Sequence, residues 1–175
     1  MQLVPPTNID AAFVKAPDIV DKLTIVMMGG ALTQPGNCNP YMEANISMDP
    51  KASNRMFSTS ADITMIGLDV TMQALMTKKD TQALRDVGTK AGAFLADMTD
   101  YYIDISEETD PAFQGGCNLH DPLAAAVALD PTLVTTFPID LMVETEGPEH
   151  WAYHRRSDKI IEPAEEHQSS SWRRC

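Results

Sequence analysis

Apolar residues in this chain follow two patterns, short unbroken runs and stretches that recur every three to four positions. Residues 23–28 (LTIVMM), 63–68 (ITMIGL) and 139–144 (IDLMVE) are the unbroken runs. The first two, bounded or interrupted by glycine, predict buried strands, and the third, which includes Asp140 and Glu144, predicts a further strand. Ile9, Ala12, Phe13 and Ala16 recur at helical spacing between Thr7-Asn8, which offers an N-cap, and Pro17. Asp49-Pro50 opens a second helix, running to about Phe57. Leu84, Val87, Ala91, Phe94, Leu95 and Met98 predict one long amphipathic helix from Asp80 to about Tyr102. The alanine-rich stretch from Pro122 to Leu129 predicts a buried helix with the proline in its first turn. Strands alternating with helices predict an α/β fold with a mainly parallel, Rossmann-like sheet flanked by helices.

Ligands bind such sheets beyond the carboxyl ends of the strands. The loop at 36–46, GNCNPYMEANI, lies beyond the first strand. It carries Asn37, Asn39, Glu43 and Asn45, side chains that hydrogen-bond well and pack poorly. Glu43 and Asn45 stand two apart, so in an extended segment they point to one side, and Asn37 lies within reach on a loop that folds back. Adjacent sugar hydroxyls, each donor and acceptor at once, suit such a set. A solvated turn is the alternative. The second cluster is His120-Asp121, at the entry to the alanine-rich helix. Either Asp121 caps that helix with His120 on the surface, or Asp121 ligates a hard cation or a hydroxyl while His120 supplies a proton near neutral pH.

Composition narrows the setting. A chain of 175 residues, 43% hydrophobic, is of a size for one globular core. Its formal net charge of −12 opposes a nucleic-acid partner. Cys38, Cys117 and Cys175 are too far apart for a zinc motif and suit a reduced compartment. The start, MQLVPPTNIDAAF, has no secretory pattern, and no apolar run reaches bilayer length. The expectation is a cytoplasmic protein with no membrane partner. Eleven scattered methionines read as adaptable core filling. Beyond Gly147 the character changes to Trp, Arg, His and a serine run with no usable period. The chain therefore divides into a domain at 1–147 and a divergent, disordered tail at 148–175.

Five segments, PPTNIDAAF, IVMMGGA, GNCNPYMEANISMDPKA, ITMIGLDVT and GGCNLHDPLAAAVALDP, occur in an order and spacing that resemble the inosine-uridine preferring nucleoside hydrolase family, over roughly residues 3–147. The resemblance implies a partial nucleoside hydrolase fold and a calcium-dependent activity that hydrolyses the N-glycosidic bond of ribonucleosides to ribose and free base. It implies Ca2+ held by the Thr7 backbone carbonyl and by Asp121. It implies ribose contacts from Met28, Asn37, Glu43, Asn45 and Asp121, with His120 catalytic in protonating the departing base. A ribonucleoside is the implied partner, and homo-oligomers are common in the family.

The family's Asp-x-Asp-x-x-x-Asp-Asp motif, source of most calcium carboxylates and of the general base, does not occur in these residues. Nor does the Thr-Arg-Gly segment that follows Val-Glu-x-x-Gly in the family. The expectation is therefore a truncated member that keeps the sugar side of the site. Its alternative is a non-catalytic remnant or partial ribose-binding module.

Overall fold

The computed structural model describes residues 1–109, 115–146 and 153–155. They fall into two compact units, one of residues 1–69 with the chain from Ala124 onward, the other of Val70–Leu123.

In the first unit, Thr24–Met28 (β1) and Asp62–Ile66 (β2) pair in parallel, with Met28 opposite Ile66. Gln2 bridges Met27 in parallel: its N–H donates to Val26 at 2.8 Å, and its carbonyl accepts from Met28 at 2.9 Å. Helix α1 (Thr7–Lys15) and a 3₁₀ turn (Pro17–Lys22) precede β1, and α2 (Ala44–Met48) and α3 (Pro50–Phe57) lie between the two strands. Phe13, Ile25, Met27, Ile46, Met56 and Val143 form the buried core, which fixes these elements by excluding water from one face of each. Met27 and Met56 serve there as core filling, while Met48 is exposed. Arg55 of α3 clasps Asp10 of α1 through Nε and Nη2, tying the two helices.

The run read as a strand at 63–68 stops at Ile66, because Gly67 is followed by α4 (Leu68–Thr71). Thr7-Asn8 does not cap α1. Pro6 holds the cap position without a side-chain bond, and the Thr7 hydroxyl donates to Asp49 at 2.5 Å instead.

In the second unit, β3 (Leu75–Met76) and β4 (Cys117–Asn118) pair antiparallel. The single helix expected from Asp80 to Tyr102 is two, α5 (Lys78–Asp86) and α6 (Lys90–Thr109). Gly88, at φ +73°, makes the turn that a side chain would strain, and the Thr89 hydroxyl then accepts from Gly92 at 3.0 Å to start α6. The break redirects the apolar stripe. Ala96 and Ile103 are buried, whereas Phe94, Leu95, Met98, Tyr101 and Tyr102 are exposed. Polar contacts lock the helix pair: Arg85 Nη2 lies 2.7 Å from Asp97 and 2.8 Å from Asp100, and the Thr81 hydroxyl donates to Asp100 at 2.6 Å.

Helix α7 (His120–Leu129) begins two residues earlier than Pro122 suggests. Leu141–Val143 (β5) is shorter than the run at 139–144 and pairs antiparallel with Tyr153–Arg155 (β6). β6 lies inside the segment read as a tail; the rest of 148–175 lies outside the described residues.

Candidate functional site

The site in the first unit is built around Glu43, only 2% exposed although it is a carboxylate. Glu43 is the N-cap of α2, with Oε1 accepting from Asn45 N at 2.9 Å and Oε2 from Ile46 N at 3.1 Å. Oε2 also accepts from Gly30 N at 2.9 Å, just beyond β1. Asn37 Oδ1 takes the remaining early amide of the helix, Ala44 N, at 3.0 Å. The first three N–H groups of α2, which no helical carbonyl can reach, are thus all satisfied by side chains of the loop.

The other polar residues of the loop also serve its shape. Asn39 Oδ1 accepts from Tyr41 N at 2.8 Å and Met42 N at 2.9 Å, closing the turn. Asn45 Nδ2 donates to the Met28 carbonyl at 3.2 Å and lies 3.4 Å from its sulfur. Met28, Asn37, Glu43 and Asn45 are therefore brought together where β1 ends. What they leave for a ligand is specific. A carboxylate offers about four acceptor positions, and backbone amides take three of those on Glu43, leaving one on Oε1. Asn37 Nδ2 and Asn45 Oδ1 have no partner among the described residues.

Thr7, in the same unit, is the first residue of α1, so helical geometry turns its carbonyl toward the N–H of Ala11. Its hydroxyl bond is the main influence holding the Asp49 carboxyl below the ordinary value. Asp49 in turn caps α3 by accepting from Ala52 N at 3.0 Å.

Sequence reasoning missed Asp69. It follows β2 and accepts from Leu32 N at 3.0 Å, and from Thr33 N and the Thr33 hydroxyl at 2.6 Å each. Leu68 N donates to the Gly30 carbonyl at 2.7 Å, so the chain segments leaving β1 and β2 are laced together. Burial opposes the charge on Asp69 most strongly, but the Thr33 hydroxyl and the surrounding amides outweigh it and hold the carboxyl below its ordinary value. The available signal was position alone: an acidic residue just past a buried strand.

The second unit holds His120 and Asp121 in the first turn of α7. His120 Nδ1 lies 2.8 Å from the hydroxyl of Thr71, which is fully buried. The segment before the histidine is fixed by Leu119 N donating to the Ala74 carbonyl at 2.8 Å. Asp121 is a helical residue rather than a cap, placed where the positive end of a helix favours a carboxylate.

A model of the family described as inosine-uridine preferring nucleoside hydrolase matches residues 1–169. The chain belongs to that family. It is 38% identical over 142 residues to the inosine-uridine preferring nucleoside hydrolase of Leishmania major, covering 81% of this chain and 44% of the relative. It is 35% identical over 144 residues to the pyrimidine-specific ribonucleoside hydrolase RihA of Escherichia coli, covering 82% of this chain and 46% of the relative. Among solved structures, the purine-preferring ribonucleoside hydrolase of Gardnerella vaginalis superposes with a TM-score of 0.86 at 55% identity, covering 92% of this chain and 51% of that one. This family member thus spans about half the length of the relatives it matches. No helix among its described residues is long and apolar enough to cross a membrane.

Proposed function

We propose that this chain forms the sugar-holding and base-protonating part of a ribonucleoside hydrolase, acting on purine or pyrimidine ribonucleosides in the cytoplasm. The observation that carries the reading is the loop around Glu43. Its fold is secured by backbone amides, yet an acceptor on Glu43, an acceptor on Asn45 and a donor on Asn37 remain for adjacent hydroxyls. A ribose supplies such hydroxyls, and a preformed set orders them with little further loss of entropy. Met28 lies beside the set as its apolar wall.

In the reaction, the bond from the anomeric carbon to the base nitrogen breaks and its electron pair leaves with the base. The base gains a proton from His120, and water adds to the oxocarbenium-like sugar carbon and gives up a proton to solvent, from which His120 is reprotonated. Base protonation by a general acid is worth about 10²- to 10⁴-fold. His120 suits a member that accepts inosine or uridine, although the histidine alone does not set the base preference. Assembly into homo-oligomers belongs to the same reading and is tested by light scattering.

The resemblance assigns Ca2+ to Thr7 and Asp121. When bound, it would hold ribose hydroxyls and lower the pKa of a water. Calcium takes about 6–8 oxygens, whereas the resemblance assigns it only the Thr7 carbonyl and the Asp121 carboxylate in this sequence. Among the described residues no group of three or more His, Cys, Asp or Glu side chains could hold a metal ion. The described residues do not fit a calcium shell.

That mismatch favours a second reading, a partial ribose-binding module without turnover. The test is the purified chain with calcium, assayed for ribose release from inosine, uridine and cytidine with and without a chelator, alongside calorimetric titration with ribose. Release abolished by the chelator supports the hydrolase. Binding without release supports the module, and absence of both defeats each reading.

A further inference from the structure

Thr71 is the last residue of α4, and no part of it reaches solvent. Its hydroxyl lies 2.8 Å from His120 Nδ1, and the described residues offer that hydroxyl no other hydrogen-bond partner. A buried hydroxyl must place its one proton on an acceptor. Were Nδ1 to carry the hydrogen and donate it, the Thr71 proton would be left buried and unpaired. The hydroxyl therefore donates, Nδ1 accepts, and the hydrogen of the neutral ring resides on Nε2.

From this geometry we infer that Thr71 is a positioning residue that sets the tautomer of His120, so that Nε2 presents an N–H donor to the departing base. The inference rests on the reading of His120 as the residue facing the base. Both ends of the contact are anchored. Ala74 N donates to the Thr71 carbonyl at 3.2 Å, and Leu119 N donates to the Ala74 carbonyl at 2.8 Å, so one short segment fixes the backbone on either side. The β-branch of threonine also restricts its χ1, which holds the hydroxyl in one direction better than serine could.

The test is long-range 15N NMR of the full chain at alkaline pH, where the imidazoles are neutral. His120→Gln identifies the relevant signals among the four histidines. The wild type is expected to show His120 with Nε2 protonated and Nδ1 bare. Thr71→Ser keeps that signature, whereas Thr71→Val loses it to a mixture of tautomers. Hydrogen on Nδ1 in the wild type, or an unchanged tautomer in a folded Thr71→Val, overturns the assignment. If Thr71→Val does not fold, the wild type and Thr71→Ser still decide it, since hydrogen on Nδ1 in either overturns it. The measurement needs no turnover. Failure to release ribose would defeat the hydrolase reading alone, and a wrong tautomer would defeat this assignment alone.

Discussion

The amide of Gly30 donates to Oε2 of Glu43 at 2.9 Å, joining the end of β1 to the start of α2 through a carboxylate that is almost wholly buried. Among the described residues three backbone amides, and no cation, hold it. Glu43→Gln keeps the shape but sets an amide N–H₂ against a backbone N–H. Hydrogen bonds to charged groups contribute about 1.5–3 kcal/mol each, so the variant should lose about 2–3 kcal/mol of stability in urea melts. Its ribose affinity should fall as well. A variant as stable as the wild type would show that the carboxylate does not organise the loop.

Asp69 predicts a pH dependence. Burial works against its charge, but the Thr33 hydroxyl and the amides of Leu32 and Thr33 keep its carboxyl below the ordinary 3.8. With the folded value below the unfolded one, the unfolded chain binds the proton first as pH falls. The stabilisation is complete above the unfolded value, near pH 4, and is lost as pH drops through the folded value. Asp69→Asn should be less stable at pH 7 and show a flatter decline between about pH 5 and pH 2. Parallel acid limbs for the two proteins in urea melts would contradict this.

Arg55 and Asp10 predict a packing effect. Asp10 is 7% exposed and receives two guanidinium N–H groups from an arginine that is itself partly in solvent. Removing the arginine in Arg55→Met leaves a buried carboxylate short of partners, while solvent tempers the cost, so a loss of about 1–2 kcal/mol is expected. Arg55→Lys should lose less, because one of the two contacts survives. A double-mutant cycle with Asp10→Asn measures the coupling, and a value near zero would remove the pair from any account of how α1 and α3 are held.

Gly36 predicts a steric effect in the loop. A Cβ there would lie 2.1 Å from the Met42 carbonyl oxygen and 2.4 Å from that of Asn39, both backbone atoms that cannot swing aside. Gly36→Ala should cost about 1–3 kcal/mol and weaken ribose binding, because the turn that carries Asn37 must open. Calorimetry with ribose on a variant shown to be folded by circular dichroism tests this, and unchanged affinity would place the sugar elsewhere.

Much of the candidate site was legible as composition and position. Glu43 and Asn45 announced themselves as polar residues in a short loop beyond a buried strand, and the structure does bring them together with Met28 and Asn37. Their present tasks were not legible, because Glu43 is an uncommon N-cap and its partner Gly30 lies 13 residues away. Asn39, which no resemblance singled out, turns out to close the loop. Asp69 and Thr71 sat within a recognised segment without attracting attention, since nothing local marks a residue whose partner is Thr33 or His120.

The sequence by itself determined the elements whose signals are local. Apolar runs fixed β1 and the start of β2, Asp49-Pro50 fixed the start of α3, and the ordered motifs fixed family membership. Tertiary structure alone decided how those elements spend their polar groups. It sent the Thr7 hydroxyl to Asp49 rather than to a helix cap, and it folded α6 back on α5 with Phe94 and Met98 in solvent. The physical reason is one of range. Periodicity and capping depend on neighbours within about one helical turn, whereas burial, and the hydrogen bonds it makes obligatory, depend on residues brought together only when the chain closes on itself.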